Sequence, residues 1–350
     1  MHTASIVIVT PALADANNGN WQTARRWRSM LAAHHPVHLA AAWPTPLAGR
    51  PSLPSSRPTP LGVSVRAGSA CSPDTATLMI ALHARRSAAS IATWREQHAK
   101  APLIVALTGT DLYRDIEHDA SAQRSLELAD ALVVLNELGA QRLPLALRPK
   151  CRVVLQSCSA RQPLAHTTRH LRALMVGHLR AEKDPQTYFA AVQRLAHRPD
   201  ILLDHVGAAL DPQWAEQATM LAASHPQYRW LGGLPHETTR RRIQTAHVLV
   251  HPSRMEGGAH VVMEAVRSGT PVIASRIDGN VGLLGPDYAG YFEPGDDAGL
   301  VRLLERARDD ADMLPLLRRQ CLARAPRFAP EAEATQLQRL VDELLARQHR

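Results

Sequence analysis

Short apolar runs alternate with longer segments of helical periodicity along the whole chain. The apolar runs are rich in Val, Ile and Leu, and most carry few polar interruptions. Nearly continuous apolar strands separated by helices are typical of parallel sheets that are covered on both faces. The predicted strands are residues 5–10, 37–43, 62–67, 77–82, 103–107, 131–135, 152–156, 171–177, 201–207, 228–233, 247–253 and 271–276.

One polar segment interrupts this alternation. Residues 159–170 contain Pro163 and show no hydrophobic period, and the strand–helix pattern restarts after them. We therefore predict two α/β domains, residues 1–165 and 166–330, followed by an amphipathic helix at about 331–350. Ligands of open α/β sheets bind beyond the carboxyl ends of the strands, so the functional residues should lie on those loops.

Two local predictions concern the first domain. After the first strand, a helix is expected to begin near Trp21 and to turn Trp27, Met30 and Leu31 inward. The Pro/Ser-rich residues 44–60 are expected to form a loop without regular structure.

Composition narrows the range of functions. The 350 residues carry a net charge of +8, mostly from scattered arginines, with 45% apolar and 4% aromatic residues. Scattered charge and few aromatics disfavour nucleic-acid binding, whereas a basic balance also suits small anionic substrates. No apolar run is long enough to span a membrane.

Cysteine usage and the N-terminus indicate a cytoplasmic protein. The four cysteines form no Cys-x-x-Cys pair, and the first residues carry no basic segment of a signal peptide. No His-Glu-x-x-His spacing occurs among the 18 histidines and no Asp-x-Asp pair stands at the end of a predicted strand, so we expect no metal ion. No other cofactor is expected.

The segment 255–266, MEGGAHVVMEAV, concentrates the candidate chemistry. A helix is predicted from about Gly258 to Ser268, with Gly269 as its cap. The N–H groups at its start suit an anion such as a phosphate. One helix turn separates His260 from Glu264, whose carboxylate suits the vicinal diol of a ribose. The predicted site is therefore Glu256, Gly257, Gly258, Ala259, His260 and Glu264.

These residues resemble a known family. The segments EGGAHVVME and SGTPVIAS are similar to the Glu-x7-Glu motif of GT-B glycosyltransferases, especially the retaining family 4. VGHLRAEKDP, residues 176–185, resembles the family segment whose arginine and lysine hold the donor diphosphate. Lys183 matches the lysine, but His178 stands at the arginine position, so His178 or Arg180 could substitute for it.

The resemblance implies a fold and a division of labour. It implies an α/β GT-B protein with two Rossmann-like domains facing a central cleft, the first binding the acceptor and the second the nucleotide-sugar. The final helix would pack back on the first domain. Lys183, Glu256 and His178 would be catalytic, while Glu264, residues 257–260 and Arg180 would bind the donor.

A narrower resemblance concerns the acceptor. Together with the segment around Lys183, PALADANNGNWQTARRW (residues 11–27) and LTGTDLYRD (residues 107–115) resemble the selenosugar synthases of selenoneine biosynthesis, which join selenophosphate to a UDP-sugar. UDP-GlcNAc or UDP-glucose would be the donor. The acceptor would contact Asn18, Gly19, Asn20, Arg25, Thr108, Gly109, Thr110 and Asp111, although Asp111 could instead cap a helix.

Three alternatives stay open at this point. A conventional family 4 transferase would use a sugar or lipid acceptor, an epimerase would act on the donor alone, and a binding protein would close on its ligand without chemistry.

Overall fold

A computed structural model describes residues 4–11, 19–44 and 75–348 of the chain. Its strands form two six-stranded sheets, with the orders β2-β1-β3-β4-β5-β6 and β12-β11-β10-β7-β8-β9. The first sheet contains β1 Ile6–Val9, β2 Val37–Ala40, β3 Leu78–Leu82, β4 Leu103–Leu107, β5 Ala131–Val134 and β6 Cys151–Val153. The second contains β7 Leu171–Val176, β8 Ile201–Val206, β9 Tyr228–Trp230, β10 Val248–His251, β11 Val272–Ser275 and β12 Tyr291–Phe292.

Helices connect the strands, and the strand pairs with defined register are parallel. The helices are α1 Gly19–Leu31, α2 Ala88–Gln97, α3 Ile116–His118, α4 Ala120–Leu128, α5 Pro185–Arg194, α6 Pro212–Ser224, α7 His236–Thr245, α8 His260–Val266, α9 Asp278–Leu284, α10 Asp297–Asp309, α11 Met313–Arg324 and α12 Pro330–Gln348. Parallel strands need such crossovers, so the observed order follows from the alternating sequence pattern.

The chain divides into two compact units. The first comprises Met1–Ala106, Asp119–Leu132 and Leu340–Arg350, and the second comprises Leu107–His118 and Val133–Arg339. The predicted domain boundaries stay a prediction. Residues 154–170, which include the predicted break, contain no helix or strand.

In the first unit, burial follows the predicted hydrophobic pattern with one exception. All residues of β1, β3 and β4 are buried, as expected for strands covered on both faces. On α1, Trp27 and Leu31 are buried as predicted, but Met30 is only partly buried and so lies less deeply than expected. The helix also begins two residues before Trp21.

The predicted strands agree with the observed ones wherever the structure describes them. The predicted strand 62–67 and most of the loop 44–60 lie outside the described residues. The pattern missed β12, which has only two residues, Tyr291 and Phe292. A two-residue strand is too short to show an alternation or an apolar run.

In the second unit, an apolar core surrounds the sheet and includes the fully buried Phe328 and Tyr188. Helix α8 is shorter than predicted at both ends. Beyond it, Gly269 has a φ of +73° and the Thr270 N–H donates to the Ala265 carbonyl at 2.9 Å. This geometry ends a helix at a glycine, which confirms the predicted role of Gly269.

The last helix, α12, is amphipathic as predicted. Leu337, Leu340, Val341 and Leu344 on its apolar face are buried. No helix within the described part of the chain is long and apolar enough to cross a membrane.

Replacing Trp27 by Ala should lower the free energy of unfolding by about 3–5 kcal/mol, because the indole is fully buried and leaves a large cavity. Trp21→Ala, on the same helix but half-buried, is the control and should cost less than half as much. Urea unfolding measures both. Equal losses from the two substitutions would contradict the described packing of α1.

Candidate functional site

The loop after β7 carries Lys183 and is built around Gly177. A Cβ at Gly177 would lie 3.4 Å from the Lys183 Cγ and Cδ atoms, so the lysine stem packs on bare backbone. The Gly177 carbonyl lies 3.0 Å from His205 Nε2, and the Gly177 N–H donates to the Val206 carbonyl. The end of β8 thereby fixes the backbone from which the loop departs.

Asp184, directly after Lys183, turns the chain into α5. It adopts a left-handed conformation, with φ +46° and ψ +57°, that non-glycine residues rarely take. Its buried carboxylate accepts a hydrogen bond from Thr187 Oγ1 at 2.7 Å and lies 3.0 Å from Arg254 Nε. The Arg254 N–H also donates to the Glu182 carbonyl. These contacts hold the turn that presents Lys183.

Lys183 forms a short ion pair with Glu256, although 73 residues separate them. Only 13% and 10% of the two side chains are exposed. The same carboxylate lies 3.2 Å from Nε2 of His251, the last residue of β10. Burial alone would raise the pKa of Glu256, but the Lys183 and His251 side chains outweigh it and hold that pKa well below its usual value. Two residues predicted to be catalytic are therefore in direct contact.

The glycines after Glu256 have a packing role. A Cβ on Gly257 would lie 2.5 Å from the Thr108 carbonyl oxygen, and one on Gly258 would lie 2.9 Å from the Leu135 Cβ. Asn136 Nδ2 also donates to the Gly257 carbonyl at 2.8 Å. Glycine allows the backbone to approach either a ligand or another protein segment, and the sequence alone did not show which of the two Gly257 and Gly258 meet. The loop is thereby fixed directly after Glu256.

Glu264 lies on α8, as predicted, and its Oε1 atom is surrounded by basic groups. His236 Nε2 lies at 2.6 Å, His260 Nδ1 at 3.3 Å and Arg240 Nε at 3.8 Å. Burial alone would raise the pKa of Glu264, but the hydrogen bonds from the two histidines lower it to about 2. The carboxylate is therefore ionised and held in one orientation, as a hydrogen-bond acceptor for a ligand requires.

The remaining predicted donor residues lie on the same loops. His178 and Arg180 are exposed beside Lys183, and Ala259 directly precedes α8. The pKa of His178 is lowered, first by partial desolvation and then by the positive charges of Arg180 and Lys183. Its Nδ1 atom accepts a hydrogen bond from the Ala208 N–H at 3.1 Å. Because His178 favours its neutral form, Arg180 supplies most of the additional positive charge near Lys183.

The predicted acceptor residues are divided between the two units. Gly19 and Asn20 begin α1 and Arg25 is exposed on it, whereas Asn18 lies outside the described residues. In the second unit, the Asp111 carboxylate is buried and accepts hydrogen bonds from the Thr108 and Gly109 N–H groups. Asp111 thus stabilises its own loop, and those two N–H groups are already engaged.

Four residues at the site escaped the sequence analysis: His236, Arg240, His251 and Arg254. Each comes from an element other than the one that carries the acid it contacts. His251 lies near the end of the predicted strand 247–253, which is a weak signal, but nothing in the sequence pairs His236 with Glu264. Contacts between distant elements are set by the fold.

Residues 159–325, all in the second unit, match the family of glycosyl transferases group 1. Glycogen synthase of Mycobacterium tuberculosis is 29% identical over 189 residues, which are 52% of this chain and 41% of that protein. The chain therefore spans less than half the length of this relative. The family match, residues 159–325, covers the segment that carries Lys183, Glu256 and Glu264.

Two solved structures share the fold over nearly the whole chain. Sucrose-phosphate synthase of Thermosynechococcus elongatus has a TM-score of 0.71 and 19% identity, covering 98% of this chain and 99% of that one. HepE of Anabaena in complex with UDP and glucose has a TM-score of 0.69 and 14% identity, covering 97% and 100%. The predicted fold class, α/β of the GT-B type, is confirmed.

Asp184 offers a test of how the lysine loop is held. Asp184→Ala and Asp184→Gly both lose the contacts with Thr187 and Arg254, but only alanine retains the cost of a left-handed backbone. We expect Asp184→Ala to be less stable than Asp184→Gly by about 1 kcal/mol or more. Urea unfolding of the two variants measures the difference. An alanine variant as stable as the glycine variant would refute the described turn.

His205, beneath the same loop, predicts a pH dependence. Burial lowers its pKa from 6.5 to about 4. Between these two pH values, His205 binds a proton in the unfolded chain but not in the folded protein. The free energy of unfolding should therefore fall by up to about 3 kcal/mol as the pH drops from about 6.5 to about 4. In His205→Gln this contribution should vanish. As the pH is lowered, the free energy of unfolding should therefore fall more steeply for the wild type than for His205→Gln. Parallel curves of unfolding free energy against pH for the two proteins would contradict a buried neutral histidine.

Proposed function

We propose that this protein is a glycosyltransferase that takes a sugar from a UDP-sugar. The observation that carries the proposal is the arrangement of Lys183, Glu256 and Glu264 on adjoining loops and helices of the unit that matches the glycosyl transferase family. Each of the three side chains is held by contacts that fix its charge and direction. Such preorganised charges stabilise a transition state at little further cost.

Lys183 is proposed to neutralise the leaving diphosphate. Its ammonium carries three N–H donors, so it can keep its contact with Glu256 and still donate to a phosphate oxygen. Arg180, exposed three residues earlier, supplies a second positive charge. Because these side chains supply the cationic charge, the proposed reaction requires no metal cofactor.

Glu264 is proposed to bind the ribose of the nucleotide. The contacts from His236, His260 and Arg240 converge on its Oε1 atom. The carboxylate still has the lone pairs of Oε2 for a ligand hydroxyl. Its ionised state at neutral pH makes it an acceptor that binds a diol by charge-assisted hydrogen bonds.

Glu256 is proposed to lie at the sugar. Its negative charge, shared with Lys183, would face the positive charge that develops on the anomeric carbon. The HepE structure holds UDP and glucose, which supports a UDP-sugar as the donor. Residues 257–260 would line the same side of the donor.

The finer proposal concerns the acceptor, which we propose to be selenophosphate. The anionic selenium attacks the anomeric carbon, the bond from that carbon to the diphosphate oxygen breaks, and UDP leaves with the electron pair. Hydrolysis of the P–Se bond by one water then gives the 1-seleno-sugar and phosphate. An anionic selenium needs no strong general base. Support comes from the resemblance of residues 11–27 and 107–115 to selenosugar synthases and from the net charge of +8.

A conventional sugar acceptor is the second candidate. Glycogen synthase and sucrose-phosphate synthase, which this chain resembles, are named for sugar products. A cytoplasmic location stays a prediction from the sequence.

The donor site can be tested by substitution. Lys183→Ala and Glu264→Gln should each lower the rate of UDP release by roughly 10²–10³-fold, because each removes a charge aimed at the donor. Lys100→Ala, which removes an exposed lysine of the first unit, is the matched control and should keep wild-type turnover. Circular dichroism shows whether the variants fold. Wild-type turnover in both site variants would refute the assigned roles.

The acceptor is tested with wild-type protein and a panel of UDP-sugars. UDP release that depends on selenophosphate, together with a selenium-containing sugar in the mass spectrum, would support the finer proposal. UDP release only with added sugar acceptors would reject selenophosphate and keep the glycosyltransferase. Turnover of the donor alone would indicate an epimerase or hydrolase.

A further inference from the structure

His236, His260 and Glu264 form a cluster with the chemistry of a metal site. One ligand atom from each lies within 4.8 Å of the other two. Two imidazole nitrogens and one carboxylate oxygen are a common protein ligand set for Zn²⁺, with water as the fourth ligand. We propose that these three side chains bind a zinc ion and that the ion competes with the nucleotide-sugar.

The distances suit this ion. Ligands about 2.0–2.1 Å from a tetrahedral zinc are separated from one another by roughly 3.3 Å. His260 Nδ1 and Glu264 Oε1 are already 3.3 Å apart. His236 Nε2 lies closer, at 2.6 Å from Oε1, and its side chain is 70% exposed at the start of α7. Its ring can therefore move outward by under about 1 Å without disturbing the core.

The orientation of His260 supports the site independently. Its Nε2 atom lies 3.1 Å from the Ser157 carbonyl oxygen, which can only accept a hydrogen bond, so Nε2 carries the hydrogen. Nδ1 is then the ring nitrogen that faces the Glu264 carboxylate. A zinc ion held by both atoms would take the place of the hydrogen bond between them. A backbone carbonyl that fixes the tautomer is the usual outer partner of a metal-binding histidine.

Arg240 limits the affinity without filling the site. Its Nε atom lies 3.8 Å from Glu264 Oε1, and this positive charge opposes a cation. Its two terminal nitrogens, however, donate to the Ser159 hydroxyl and carbonyl at 2.7 and 2.6 Å. Both terminal nitrogens of the guanidinium are therefore engaged by Ser159 and not by the carboxylate. We expect reversible binding, as an inhibitory ion needs.

The consequence for activity rests on the proposed function. If Glu264 holds the ribose, a zinc ion on the carboxylate displaces it, so Zn²⁺ should raise the apparent KM for the UDP-sugar and leave kcat unchanged. The binding itself does not depend on that function and is measured without any substrate.

The test is a titration of the whole protein with Zn²⁺ in competition with a chromogenic chelator. Wild type and His118→Ala, which removes an 82% exposed histidine elsewhere, should bind one zinc ion with equal affinity. His236→Ala should bind it more weakly by more than the ~10–100-fold typical of outer-shell substitutions. Because His236 is exposed, this variant should fold, and its thermal unfolding checks that it does.

Equal zinc affinity in wild type and His236→Ala would overturn the proposal, as would failure of the wild type to compete with the chelator. Repeating the zinc titration with UDP present separates the existence of the zinc site from the proposed competition with the nucleotide. Zinc affinity that is lost in His236→Ala but insensitive to UDP would keep the metal site and refute competition at Glu264.

Discussion

The ion pair between Lys183 and Glu256 is the contact on which the site depends. Both side chains are largely removed from water. In the protein interior two opposite charges attract strongly, but burying either charge alone costs several kcal/mol. The pair is stable only if the fold holds both side chains in position. Gly177 and Asp184 place the lysine, and the close packing at Gly257 places the glutamate, so backbone features far apart in sequence serve a single contact.

The two glutamates of the Glu-x7-Glu spacing have different surroundings because they lie on different structures. Glu256 is on a loop and meets Lys183, from the loop after β7, and His251, the last residue of β10. Glu264 is on a helix and meets two histidines and an arginine. Both carboxylates are ionised, yet only Glu256 is paired with the cation proposed to meet the diphosphate. This difference is the physical basis for assigning one to the sugar and the other to the ribose.

Much of the fold could be predicted from the sequence, because burial on both faces of a parallel sheet imposes continuous apolar strands. The same reasoning failed for β12, which is too short to show a pattern, and for Met30, where helical periodicity does not fix how deeply a flank is buried. At the site, the sequence identified Lys183, Glu256 and Glu264 through their motif. It did not identify His236 or Arg254, because their partners are distant in sequence. It also missed His251, which is close to Glu256 in sequence but lies in a predicted strand. Nor did it reveal that Asp184 takes a left-handed conformation.

The most direct test of the account is a structure of the protein with UDP bound. We predict that the diphosphate lies within hydrogen-bond distance of Lys183 Nζ and that a ribose hydroxyl donates to the Glu264 carboxylate. UDP bound with neither contact, while the Lys183–Glu256 pair remains intact, would contradict it.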